Sequence, residues 1–237
     1  MTTPHASWAV AYDMLYENSF GSFYERLTEL TLAHIQEAIQ SNSKIIDFGA
    51  GTGRLAIPLA KMGHSVTAVE PCTEMLDVLR TKVGSEKIEC VCLKMQDYSS
   101  PPRFDFATCV FTVLIYLLDE SDLRASMRSV SQALKPGGQL LIDVPSRIVF
   151  RGLSFNSESC NRNVQVTPLA GDIFQYVEVS DIKTTQGVET FTDSFKIRYW
   201  KSKDVLKIAQ EMGLTVEMNF SDDFSGSGAE YFLLRKG

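Results

Sequence analysis

The sequence predicts an α/β fold on a doubly wound, mostly parallel sheet. Strand-like and helix-like stretches alternate through roughly the first 145 residues, and the first strand runs straight into a turn with glycine at every second position. Beyond that point longer stretches alternate apolar and polar residues, the pattern of an antiparallel cover with one face buried. A length of 237 residues suits one such domain with an elaboration. With 44% hydrophobic and 22% charged residues, disorder and a coiled coil are excluded.

Residues 22–39 carry Phe23, Leu27, Leu30, Ile35 and Ala38 at helical spacing, and Ser22 with Glu25 three positions later fits a capping box. Residues 44–48 predict a strand, followed by the glycine turn and a helix over 53–62 that Gly63 ends. Residues 64–70 predict a second strand and 73–83 a second helix. Strands are expected at 88–93, 105–111 and 139–144, with a helix over 121–134 stopped by Lys135, Pro136, Gly137 and Gly138. In the remainder, 174–179 and 195–200 predict an antiparallel pair with a turn at 184–187. A helix over 202–212, with Gly213 as its stop, precedes strands near 214–220 and 229–235. One domain is therefore expected: a cap segment (1–40), a core (41–147), a cover (148–200), and a closing helix with final strands (201–237).

Twenty-three basic against 29 acidic residues give a net charge of −6, which argues against a surface that grips nucleic acid. The longest uncharged apolar run, 106–118, falls short of the roughly 20 residues that span a bilayer, and nothing at the N-terminus reads as a secretory signal. The five cysteines include no C-x-x-C pair, and the three histidines are far apart. No metal site and a reducing cytoplasm are the expectations. Cys90, Cys92 and Cys109 fall in predicted strands and read as small core residues.

The segment Asp47-Phe48-Gly49-Ala50-Gly51-Thr52-Gly53-Arg54 carries the most chemistry. Glycines between a strand and a helix let a ligand approach the backbone without meeting a Cβ. Dinucleotide sites space their glycines as G-x-G-x-x-G to bring a pyrophosphate onto the helix. Here the third glycine comes one residue early, Arg54 stands where that pattern has glycine, and Asp47 sits poorly beside a diphosphate. A cationic ligand fits better.

This segment resembles the first motif of the class I S-adenosylmethionine-dependent methyltransferases. The likeness continues through Glu70 at the end of strand two, Asp105 opening strand four, 134–138 before strand five, and the final stretch from Phe195 to Val216. It implies a Rossmann-like, seven-stranded sheet whose last strand pair is antiparallel, carrying an inserted antiparallel cover. It also implies S-adenosyl-L-methionine as cofactor and S-adenosyl-L-homocysteine as product. By resemblance, Gly49 and Gly51 receive the methionine moiety, Asp47 acts through the turn, Glu70 accepts from the ribose, and Pro71 and Met75 pack near adenine. Phe111 lies where the family covers the sulfonium, and Tyr12, Tyr16 and Tyr24 belong to a segment that folds over the cofactor. Where relatives bind adenine through an acid after strand three this chain has Lys94, so Met95, Gln96 and Asp97 become the expected contacts.

Methyl transfer from a sulfonium needs little beyond orientation in a dry pocket, worth roughly 7–11 kcal/mol. His34 and His64 fall away from the ligand-binding edge of the sheet, leaving Tyr16, Tyr116, Asp143 or His5 as proton acceptors. That favours an amine acceptor, which needs no base during attack. A small molecule is expected, bound among the N-terminal segment, the region after strand four and an aromatic wall of Tyr176, Tyr199 and Trp200. Tyr116 is placed to orient it, and Arg147, Arg151 or Arg198 to pair with an acidic group on it. The competing class is a cofactor-binding protein without transferase activity, with the cover as an interaction surface.

Overall fold

Ile45, Ile46, Asp47 and Phe48 are all buried although successive side chains point to opposite faces, so the first strand must be covered on both sides. The computed structural model, which describes residues 3–185 and 187–237, places it at the centre of a seven-stranded sheet. The strands are β1 (Lys44–Phe48), β2 (Ser65–Val69), β3 (Ile88–Val91), β4 (Phe104–Cys109), β5 (Leu134–Pro145), β10 (Leu214–Asn219) and β11 (Ala229–Lys236). Their order is β10-β11-β5-β4-β1-β2-β3. β1 to β5 pair in parallel, whereas β11 lies antiparallel to both β5 and β10.

Helices cover both faces. Leu27 and Ile35 of α2 (Ser22–Ala38), Ala56 and Leu59 of α3 (Ala56–Lys61), and Leu76 and Leu79 of α4 (Thr73–Thr81) pack on one side. Leu123, Met127 and Val130 of α5 (Glu120–Ala133) and Val205 and Ile208 of α6 (Ser202–Glu211) pack on the other. Each such large side chain removed from water contributes about 1.5–3 kcal/mol. Trp200 belongs to this core, its indole N–H donating to the Leu117 carbonyl, and it does not line the expected wall.

The cover is a second sheet of four antiparallel strands in chain order: β6 (Leu153–Asn156), β7 (Cys160–Pro168), β8 (Ile173–Thr184) and β9 (Gly187–Arg198). Its first two strands exceed the pair that the sequence predicts. β7 reads Asn-Arg-Asn-Val-Gln-Val, a polar run with weak strand propensity, and it is strand through pairing along its whole length with β8. The residues before α2 also hold more than expected: a 3₁₀ helix, Ala6–Ala11, and α1 (Tyr12–Phe20).

Three local expectations are corrected. Ser22 lies inside α2, behind Gly21 at φ +49°, so no capping box forms with Glu25. α3 begins at Ala56 and not at residue 53, because Gly53 has φ +89° and still belongs to the turn. Cys92 lies past the end of β3 and is exposed, its thiol beside the Thr73 hydroxyl. Among the described residues no helix is long and apolar enough to cross a membrane.

Candidate functional site

The carboxyl ends of β1, β2, β4 and β5 converge where the strand order reverses, the edge at which open α/β sheets bind ligands. There the three glycines follow β1, each with positive φ and each with different surroundings. A Cβ on Gly49 would lie 2.4 Å from a methyl of Val113, and one on Gly53 2.9 Å from Leu79. A Cβ on Gly51 (φ +54°) would meet nothing within 4 Å. Gly49 and Gly53 thus serve packing, while Gly51 leaves backbone facing open space. The turn is tied to the next strand by Gly49 N–H, which donates to the Val69 carbonyl at 2.8 Å.

Glu70 follows β2 directly. One carboxylate oxygen accepts from Gly51 N–H at 3.1 Å and the other from Cys72 N–H at 2.9 Å, which ties the acid to both the turn and the start of α4. Burial pushes its carboxyl up to about 7, against the pull of those two N–H groups. Asp47 is 4% exposed and accepts from the Thr108 hydroxyl at 2.6 Å; burial raises it to about 6. Pro71 lies between Glu70 and α4, and Met75 is buried beneath Ala9 and Tyr12.

The turn after β4 is the other edge of the crevice. Phe111 and Thr112 both adopt the left-handed region, at φ +71° and +70°, which non-glycine residues seldom do. Asp143 of β5, 1% exposed, explains how they are held: its oxygens accept from Phe111 N–H at 3.0 Å and Thr112 N–H at 3.0 and 3.2 Å. Burial raises its carboxyl to about 7. This geometry makes Asp143 the anchor of a strained turn, with both oxygens engaged by backbone. Phe111 in turn carries the Arg54 guanidinium 4.6 Å above its ring.

Over the crevice lies the N-terminal segment. Tyr12 and Tyr16 stack at 4.4 Å, Tyr16 meets Tyr24 at 5.7 Å and Phe111 at 5.5 Å, and Trp8 stacks on Tyr12 at 5.3 Å. A polar clasp fixes this roof to the glycine turn. Asp13 accepts from the Thr52 hydroxyl at 2.5 Å and pairs with Lys82 at 2.6 Å, and Lys82 also donates to the Thr52 carbonyl.

Beyond Tyr16 an aromatic cluster lies between this roof, the 3₁₀ turn Val113–Tyr116 and the cover. Tyr116, Phe195 and Tyr176 follow one another, with ring separations of 5.7 and 4.6 Å. The His5 ring nitrogen Nε2 lies 2.7 Å from the Tyr116 hydroxyl. Buried charge surrounds the cluster: Arg162 pairs with Glu178 at 2.7 Å, Tyr176 donates to the same carboxylate, and Asp193 faces Glu178 across the strand pair. Arg162 also lies 4.5 Å over the ring of Tyr16.

The remaining expected residues lie elsewhere. Met95 is buried against Cys109; Gln96, exposed Asp97 and Lys94 stand beside Asp122 of α5. Arg147 is 60% exposed, pairs with Asp172 at 2.8 Å and lies over Tyr199. Arg198 donates to the Leu118 carbonyl and stacks on Trp200 at 3.9 Å. His34 meets Asp223 at 3.1 Å, and His64 meets Gln36 at 2.9 Å, both away from the crevice. Sequence reasoning missed Trp8, Arg162, Glu178 and Asp193. One signal was present: Tyr176, Glu178 and Ser180 alternate along β8, placing polar groups on its buried face.

Residues 45–138 match the model of a family described as a methyltransferase domain. A curated relative, a putative methyltransferase of Geobacillus sp. (strain WCH70), is 33% identical over 144 residues, 60% of this chain and 58% of that protein. The chain spans just over half the length of the first curated relatives it matches. Among solved structures, an S-adenosylmethionine-dependent methyltransferase from Clostridium acetobutylicum superposes with a TM-score of 0.83 at 18% identity, covering 96% of this chain and 98% of the other. An amino pentose methyltransferase from Micromonospora echinaspora, solved with S-adenosylmethionine bound, gives 0.76 at 18% identity over 96% and 97%.

Proposed function

We propose, on the premise that the chain belongs to the class I S-adenosylmethionine-dependent methyltransferases, that it transfers a methyl group to a small-molecule acceptor, with nitrogen favoured over oxygen. The observation that carries this reading is Gly51 facing open space beside the Glu70 carboxylate and beneath the roof of Tyr12, Tyr16 and Tyr24.

The residues fit the cofactor. Gly51 offers backbone free of any Cβ, and Glu70, with one N–H on each oxygen, keeps lone pairs for two ribose hydroxyls. Tyr12, Tyr16, Tyr24 and Phe111 exclude water, Met75 and Pro71 take the adenine side, and Asp47 steadies the turn. When bound, S-adenosylmethionine supplies an electrophilic methyl on a sulfonium and leaves as S-adenosylhomocysteine. The chain contributes placement: Tyr116 and Tyr176 hold the acceptor against Tyr16 in a dry chamber, where effective molarity is worth roughly 7–11 kcal/mol. A neutral amine attacks without a base, and that chemistry is what favours nitrogen.

In this reading the segments 1–40, 41–147, 148–200 and 201–237 work as one domain, with both ligands between cap, core and cover. The net charge of −6 speaks against nucleic acid, and five free cysteines suit a reducing, cytoplasmic setting. Titration calorimetry with S-adenosylhomocysteine, beside methyl transfer from radiolabelled cofactor to a panel of small amines and phenols, tests the proposal. Binding with turnover of an amine is expected. Absence of binding removes the premise, and binding without turnover leaves a cofactor-binding protein.

A further inference from the structure

We propose that Asp193 and His5 orient the Tyr116 hydroxyl as a pure hydrogen-bond acceptor toward the methyl acceptor, so that Tyr116 holds a nucleophile through its N–H and leaves the lone pair free. The proposal deepens the reading above and rests on it for the reaction, though not for the geometry.

His5 is fixed from three sides. Its backbone N–H donates to Asp193 Oδ2 at 2.5 Å, its backbone lies at φ +69°, and its ring meets Trp8, Tyr12, Tyr116 and Phe195 edge-on. Asp193 also accepts from the Trp8 indole at 3.2 Å and from Ser194 N–H at 2.9 Å, so the carboxylate that locates His5 is itself held by three N–H groups. Nε2 is 2.7 Å from the Tyr116 hydroxyl, while Nδ1, buried and without a hydrogen-bond partner, is 3.8 Å from Asp193 Oδ2. Asp193 thus lies on the Nδ1 side of the ring, beyond hydrogen-bond reach, and Tyr116 on the Nε2 side within it, so the carboxylate acts on the tautomer through its charge.

The direction of the His5–Tyr116 bond decides what Tyr116 offers. The charged groups facing His5 are Asp193 on β9, Glu178 on β8 and Arg162 on β7; Tyr12 and Tyr116 are the neighbouring phenols. Burial holds the imidazole down, against the pull of Asp193 and Glu178, and pushes the Tyr116 phenol up, which favours the neutral form of both; across 2.7 Å one proton then lies between Oη and Nε2. If His5 carried its proton on Nε2, the bare lone pair of Nδ1 would face the Asp193 carboxylate. With the proton on Nδ1 the N–H dipole faces that carboxylate instead, and Nε2 must accept from Tyr116. The one proton of Tyr116 is then committed to His5, and its lone pairs are what remain for the methyl acceptor. Asp193 and His5 are positioning residues, acting through Tyr116.

The test reads the tautomer in the cofactor-free chain, so it needs no acceptor. Long-range proton–nitrogen spectra of histidine-labelled protein are recorded at pH 7, with His5 assigned by its loss in His5→Phe. An unprotonated Nε2 and a protonated Nδ1 are expected. Tyr116→Phe should shift the Nε2 resonance, and Asp193→Asn should raise the share of the Nε2–H form. A wild-type spectrum showing Nε2–H, or one that Tyr116→Phe leaves unmoved, overturns the proposal even if Asp193→Asn does not fold. Calorimetry with S-adenosylhomocysteine on the same samples separates the two claims: binding with the wrong tautomer defeats this inference alone, and no binding defeats the enzymatic reading.

Discussion

Cofactor affinity should rise with pH, and Glu70 sets how steeply. Its carboxyl sits at about 7, raised by burial, and only the ionised form can accept both ribose hydroxyls. The apparent dissociation constant then scales as one plus the ratio of protonated to ionised carboxyl: about 11-fold above its plateau at pH 6 and about 1.1-fold at pH 8. Binding of S-adenosylhomocysteine should therefore tighten about tenfold between those two values. Glu70→Gln should abolish the slope and weaken binding at pH 8 by about 1–3 kcal/mol, the worth of hydrogen bonds to a charged acceptor. Asp143→Asn is the control, because Asp143 also sits at about 7 yet spends its oxygens on backbone N–H groups. Calorimetry across the pH series, in buffers of different ionisation enthalpy, reads both affinity and proton release. A flat profile in the wild type, or a slope that survives in Glu70→Gln, refutes the assignment.

Asp47, Glu70 and Asp143 all have folded values raised above the ordinary carboxyl range, so the native state holds their protons more tightly than the unfolded chain. The stability they contribute is full at acid pH and is lost as pH rises through about 6 to 7, so thermal melts should fall from pH 6 to pH 8. Asp143→Asn should flatten part of that fall and cost about 1–3 kcal/mol, since its amide nitrogen meets a backbone N–H that needs an acceptor; an unchanged melting temperature would contradict the anchor role. Gly51→Val should lose cofactor binding at a backbone-strain cost of about 1–3 kcal/mol from its positive φ, whereas Gly53→Val should lose more stability, because its side chain also enters the space of Leu79 and Ile57; circular dichroism beside calorimetry separates the two. Arg162→Met leaves Glu178 buried without its counter-charge and should cost about 3–5 kcal/mol, part of which Glu178→Gln restores in the double variant. Denaturant titration that finds the single and double variants equally stable would show that the pair is not coupled.

The core was legible because its signals are local. β1, β2 and β4 are short apolar runs, as is the 140–144 part of β5, and strands covered on both faces require that pattern; β5 itself starts at Leu134, five residues before the predicted strand. Gly51 and Glu70 were singled out through the family resemblance, and the fold brings them together, the Gly51 N–H donating to the Glu70 carboxylate. β6 and β7 were not, because polar strands such as Asn161–Asn163 become strand only through a partner about 16–20 residues away. Asp143 shows a different limit. An acid within an apolar strand reads as chemistry, but its work depends on the left-handed Phe111 and Thr112, a conformation that the sequence does not announce for such residues. His5 and Asp193 stand 188 positions apart, and their meeting depends on the N-terminal segment crossing the cover.

That crossing has a kinetic consequence. The segment is fastened at both ends, by Asp13 to Thr52 and Lys82 over one ligand space and by His5 to Asp193 and Tyr116 beside the other. A single strap thus crosses both ligand spaces of the proposed enzyme, and on that reading opening of the Asp13 fastening, and not the chemical step, is expected to set the steady-state rate. The first turnover should appear as a rapid burst ahead of a slower phase, and Asp13→Ala should accelerate that slow phase while loosening the hold on S-adenosylhomocysteine.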